Sequence, residues 1–150
     1  MCFMKAKIIT LLSIFILISC QKNDIDVFNG KDTSLEKLSG QWIVVNYWAD
    51  WCAPCIKELP ELYEFAKENS DISVYVFNFD ELDEEDLRPV AKRFGLMLPS
   101  LISHPREIWG IETPPAVPAT FFINPEGVVV ESLFRPQTKD SLNSILASIK

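Results

Sequence analysis

The apolar positions of this chain change period several times, and each change marks an element. Trp42-Ile43-Val44-Val45-Asn46-Tyr47-Trp48 is a continuous run of β-branched and aromatic residues, which predicts a buried strand over 42–47. From about Pro54 to Glu68 the period lengthens: Ile56, Leu59, Tyr63 and Ala66 fall on one helical face with Leu62 and Phe65 beside them. Pro60 removes a backbone donor from that helix and is expected to kink it. Ile72 to Asn78 predicts a second strand buried on both faces. The acidic stretch Asp80 to Asp86 then opens a helix that suits its dipole and stops at Gly95.

Residues 96–116 carry no clear period, because Pro105, Pro114 and Pro115 break it. Beyond them Ala119 to Ile123 predicts a strand, Asn124-Pro125-Glu126-Gly127 a turn, and Val128 to Ser132 the second arm of a hairpin. Leu142, Ile145, Leu146 and Ile149 give a last helix, from about Thr138 to Lys150, one apolar face. At the other end Ile25-Asp26-Val27-Phe28 is a short alternating piece, expected as an edge strand, and Leu35 to Gly40 a single helical turn. The order strand, helix, strand, helix, hairpin, helix predicts an α/β fold with helices on both faces of a central sheet.

The N-terminus belongs to a different kind of segment. Lys5 and Lys7 precede an apolar run from Ile8 to Ile18. That run is short of the ~20 residues a bilayer span needs. It ends in Leu17-Ile18-Ser19-Cys20, which resembles the lipobox of bacterial lipoproteins. The resemblance implies a signal peptide over 1–19, a lipid on Cys20, a tether over 20–34 and a domain over 35–150. An ordinary cleaved signal or an uncleaved anchor, with Cys20 a spare thiol, fits the same run. Gln21 in place of an aspartate leans towards the outer rather than the inner membrane.

The formal net charge is −7, and more negative once Lys5 and Lys7 are gone. Nucleic acid and an anionic membrane surface are therefore poor partners for the protein surface, leaving the lipid as the membrane contact. With Cys2 in the signal and Cys20 lipidated, only Cys52 and Cys55 remain as a thiol pair. A disulfide framework wants more cysteines. A structural zinc site wants about four ligands, and His104 is the only histidine, expected in a loop, so neither metal nor cofactor is expected. A Cys-x-x-Cys after a buried strand puts Cys52 at or just before a helix N-terminus, where a thiolate is favoured, with Cys55 one turn on.

Four segments carry a specific resemblance: Val45 to Cys55, Glu58-Leu59-Pro60, Val117 to Ile123, and Asn124 to Gly127. Together they resemble the TlpA/ResA-type thiol–disulfide oxidoreductases of the thioredoxin superfamily, which are exported or membrane-tethered. The resemblance implies a thioredoxin-like fold, Cys52 as the attacking and Cys55 as the resolving cysteine of a redox disulfide, and Glu58 as a proton-managing acid. It makes Trp51, Pro54, Val117 and Pro118 the surface met by partners, with Pro118 in the cis form and Trp51 covering one side of the cysteine pair. Asn46 stands where cytoplasmic thioredoxin has a buried aspartate, and an amide cannot transfer a proton. The implied protein is a monomeric periplasmic reductase, for example in cytochrome c maturation, acting on protein disulfides and served by an upstream electron donor or acceptor protein. The competing reading is a redox-inert thioredoxin-fold lipoprotein that binds partners.

Overall fold

The computed structural model describes residues 24–150. The signal segment, the lipobox and Cys20 lie outside the described residues.

The two long apolar runs form the middle of the sheet. β2 (Ile43–Trp48) is buried at all six positions, and β3 (Ser73–Asn78) pairs with it in parallel, Ile43 opposite Ser73 and Trp48 opposite Asn78. Between them runs α2 (Ala53–Glu68). Six strands lie in the order β1-β4-β3-β2-β5-β6. β1 (Val27–Phe28) is antiparallel to β4 (Ser100–Leu101). β5 (Ala119–Ile123) runs antiparallel to β2, and β6 (Val129–Leu133) closes the hairpin with a bulge at Phe122/Ile123. The remaining helices are α1 (Leu35–Leu38), α3 (Glu84–Phe94), α4 (Pro105–Trp109) and α5 (Lys139–Ile149).

Strand alternation divides the core in two. Val44, Trp48, Val74, Val76 and Phe122 pack under α2, α3 and α5, against Leu62, Phe65, Leu87 and Leu142. Ile43, Val45, Tyr47, Phe77 and Phe121 face the other way, towards Leu38 of α1 and Ile108 and Trp109 of α4. Helices thus cover both faces, as the element order predicts.

The differences from the sequence reading are local. The buried stripe of α2 is Cys55, Glu58, Leu59, Leu62 and Phe65, while Ile56, Tyr63 and Ala66 are only half-buried. The stripe is rotated because β2 and α5, not solvent, flank the Glu58 side. Pro60 does not interrupt the helix, which runs unbroken through it with the ring on the exposed side. Residues 96–116 contain β4 and α4, both too short to show a period. His104 is no free loop residue: its Nδ1 caps α4 by accepting from the Arg106 amide at 3.0 Å. Residues expected as tether are packed against the sheet, with Ile25 bridged to Thr33 and both buried.

Candidate active site

β2 ends at Trp48, and the chain turns through Ala49-Asp50-Trp51 into the N-terminus of α2. Cys52 is the N-cap of that helix, with Pro54 in its first turn. The first amides of a helix lack intrahelical partners, and here the Cys55 N–H donates to Cys52 Sγ at 3.2 Å. The two cysteines are joined in a disulfide. Cys55 is the more deeply buried, at 1% exposure against 5% for Cys52.

One turn beyond Cys55, Glu58 points inward and is 2% exposed. Its Oε1 accepts from the Gln137 backbone N–H at 2.9 Å, and its Oε2 from Asn46 Nδ2 at 3.3 Å. Burial dominates over these two donors and pushes the carboxyl from its ordinary 4.5 up to about 7. Glu58 is thus a buried acid and not an exposed helix charge. Asn46 also donates to Thr120 Oγ1 at 2.9 Å.

The Val117–Pro118 bond is cis. The β2–β5 register, with Tyr47 opposite Ala119, carries Pro118 to the level of Trp48, the end from which the cysteine turn springs. Val117 is half-buried and packs against the core cluster that holds both cysteines. Trp51 immediately precedes the cysteine pair. It is 61% exposed, its Nε1 donates to Asp80 Oδ2 at 2.7 Å, and its ring meets Phe79 edge-on. The indole is thus held towards the β3–α3 turn.

Thr120, Gln137, Phe79 and Asp80 were not singled out by the sequence. Thr120 had a signal, a lone polar residue in the apolar strand Ala119–Ile123; Gln137 offers a backbone amide, for which no side-chain signal exists. Among the described residues no cluster of histidine, cysteine, aspartate or glutamate is placed to hold a metal ion, and no helix is long and apolar enough to cross a membrane.

Exchange at sulfur requires a disulfide that a partner sulfur can reach and a local field that stabilises the thiolate produced. Cys52, at a helix N-terminus beside an exposed indole, meets both conditions, and on this fold they define a class: the thioredoxin-like thiol–disulfide oxidoreductases. The chain belongs to the AhpC/TSA family, whose sequence profile matches residues 18–132. It is 33% identical over 123 residues to the thiol–disulfide oxidoreductase ResA of Bacillus cereus, covering 80% of this chain and 70% of that one. The ResA of Bacillus subtilis is 28% identical over 124 residues, covering 81% and 69%. Among solved structures, the exposed lipoprotein thioredoxin of Streptococcus pneumoniae superposes with a TM-score of 0.66 at 27% identity, covering 80% and 93% of the two chains. StoA of Bacillus subtilis gives 0.63 at 23%, covering 79% and 95%. The chain is a thiol–disulfide oxidoreductase.

Proposed function

We propose that this oxidoreductase is exported, tethered through a lipid on Cys20, and works as a reductase in which Cys52 attacks and Cys55 resolves. The observation that carries the order of attack is the capping geometry. The helix N-terminus and the Cys55 N–H both favour negative charge on Cys52 Sγ, and Cys52 is the less buried sulfur. In the first step the Cys52 thiolate bonds to one sulfur of a partner disulfide, whose other sulfur leaves as a thiolate. In the second step Cys55 loses its proton, bonds to Cys52 Sγ and releases the partner's second thiolate. The partner gains two electrons and the Cys52–Cys55 disulfide is formed. Glu58, buried one turn from Cys55 and with a proton affinity near neutrality, takes the proton that Cys55 gives up. Trp51, Pro54 and Val117-Pro118 form the rim against which the partner segment lies.

Tethering is supported by the cysteine ending the apolar N-terminal run, and by the likeness to the exposed lipoprotein thioredoxin of Streptococcus pneumoniae. Reduction of apocytochrome c cysteines is one task such a protein would serve. Two measurements in the host test the reading. The reduction potential of the Cys52–Cys55 pair should lie in the exchangeable range, and Cys55→Ser should accumulate covalent adducts in the membrane fraction. A potential far below that range, with no adduct, would establish the inert binding module instead.

A further inference from the structure

Asn46 uses its amide from one side only. Nδ2 donates to Glu58 Oε2 at 3.3 Å and to Thr120 Oγ1 at 2.9 Å, while Oδ1 has no hydrogen-bond partner. Turned over, the amide would set its oxygen against the carboxylate oxygen of Glu58, lone pair to lone pair. Keeping an N–H on Glu58 obliges the second N–H to find an acceptor inside the core, since an unpaired buried donor is costly. Thr120 supplies it. The residue is fully buried, lies directly opposite Asn46 in the β2–β5 register, and is the one polar side chain of a strand otherwise built from Ala119, Phe121, Phe122 and Ile123.

We propose that Thr120 is a positioning residue for thiol–disulfide exchange: its hydroxyl fixes the Asn46 amide with an N–H on Glu58 and so favours the ionised, proton-accepting form of that carboxyl against the opposing effect of burial. The inference rests on Glu58 being the proton acceptor of the proposed mechanism. The hydrogen-bond partners of Glu58 are neutral: Asn46 from β2 and the Gln137 amide from the segment before α5. β5 presents no titratable side chain. The titratable groups of the surrounding elements are the two cysteines, Lys57, Glu61, Tyr63, Glu64, Lys67 and Glu68 on α2, Tyr47 on β2, Glu131 on β6, Arg135, and Lys139 and Asp140 on α5, none of them a hydrogen-bond partner of Glu58. Glu61 is engaged by the Lys139 amide, and the Lys139 ammonium by Glu68. The hydroxyl of Thr120 is thus a group whose loss acts on Glu58, through Asn46, without altering any charge.

The test compares Thr120→Val, which keeps the shape and removes the hydroxyl, with Thr120→Ser, which keeps the hydroxyl. In the oxidised full-length protein, the Glu58 carboxyl is titrated by carbon-13 NMR. Thr120→Val should raise its midpoint by about half a pH unit or more, roughly a threefold change in proton affinity, and Thr120→Ser should leave it near wild type. The pH profile for exchange of the reduced protein with oxidised glutathione should move the same way in Thr120→Val, and lose that limb in Glu58→Gln. An unmoved midpoint in folded Thr120→Val overturns the inference, as does an equal shift in Thr120→Ser, which would make the effect one of packing. If Glu58→Gln removes the limb and Thr120→Val does not move it, Thr120 has no part in exchange. If Glu58→Gln itself leaves the profile intact, the proposed role of Glu58 fails, and the NMR midpoint still reports on Thr120.

Discussion

Glu58 carries the largest consequence of any single residue, because it is an acid held where charge is disfavoured. Its folded-state proton affinity lies near 7 against an ordinary 4.5. Between those values the unfolded chain has released the proton and the folded chain keeps it. The slope of stability with pH is then negative, and folding loses on the order of 2–3 kcal/mol as pH rises from about 4.5 through about 7. Urea denaturation of the oxidised protein at pH 5 and pH 8 should therefore show a larger loss for wild type than for Glu58→Gln, all other titrating groups being common to both. Equal losses would mean that Glu58 is ionised at ordinary cost. Asn46 adds a second expectation. Asn46→Asp places another acid against Glu58 in the same buried space and removes an N–H donor, which should raise the Glu58 midpoint further, read by the same carboxyl titration.

At the scale of elements, two glycines show how loops set the sheet edges. Gly95 ends α3 at a φ of +62°, a conformation that costs an L side chain about 1 kcal/mol or more, although nothing crowds the site. Gly95→Ala should lower unfolding stability by about that amount with no effect on exchange. Gly30 fails for another reason: a Cβ there would lie 2.8 Å from Val27 Cγ1 and 3.0 Å from Pro99 Cβ. Gly30→Ala should force β1 away from the turn before β4, at about 1–3 kcal/mol, and speed amide hydrogen exchange at Val27 and Phe28. The long elements were legible because their patterns are long: six buried residues in β2, and helical spacing over most of α2 and α5. β4, with two residues, and α4, with five, hold too few positions to express a period. The place of β4 depends on pairing with β3 and β1, partners distant in sequence, and α4 starts at the local His104 cap. The direction of the α2 stripe was misread for a related reason. Periodicity marks apolar residues, and Glu58 is buried through hydrogen bonds rather than apolarity.

For the whole molecule, sequence and structure converge unequally on the site. The cysteine pair, Glu58 and Val117-Pro118 were visible in the chain by their resemblance to a family pattern. The partners that define their chemistry, Thr120 across the sheet and the Gln137 amide ahead of α5, come together only through folding. The tethered reading makes its own prediction. Cys20→Ala should shift the protein from the membrane to the soluble fraction of cells while leaving exchange with oxidised glutathione unchanged, whereas retention in the membrane would point to an uncleaved anchor. The proposed mechanism makes Cys52 the attacking sulfur and Cys55 the resolving one. Its most direct test is to expose reduced Cys55→Ser and reduced Cys52→Ser to a disulfide-bonded protein such as insulin, quench with acid, and identify the mixed disulfides by mass spectrometry. A stable adduct is expected through Cys52 in Cys55→Ser, and little or none through Cys55 in Cys52→Ser. A faster or more abundant adduct through Cys55 would contradict that mechanism.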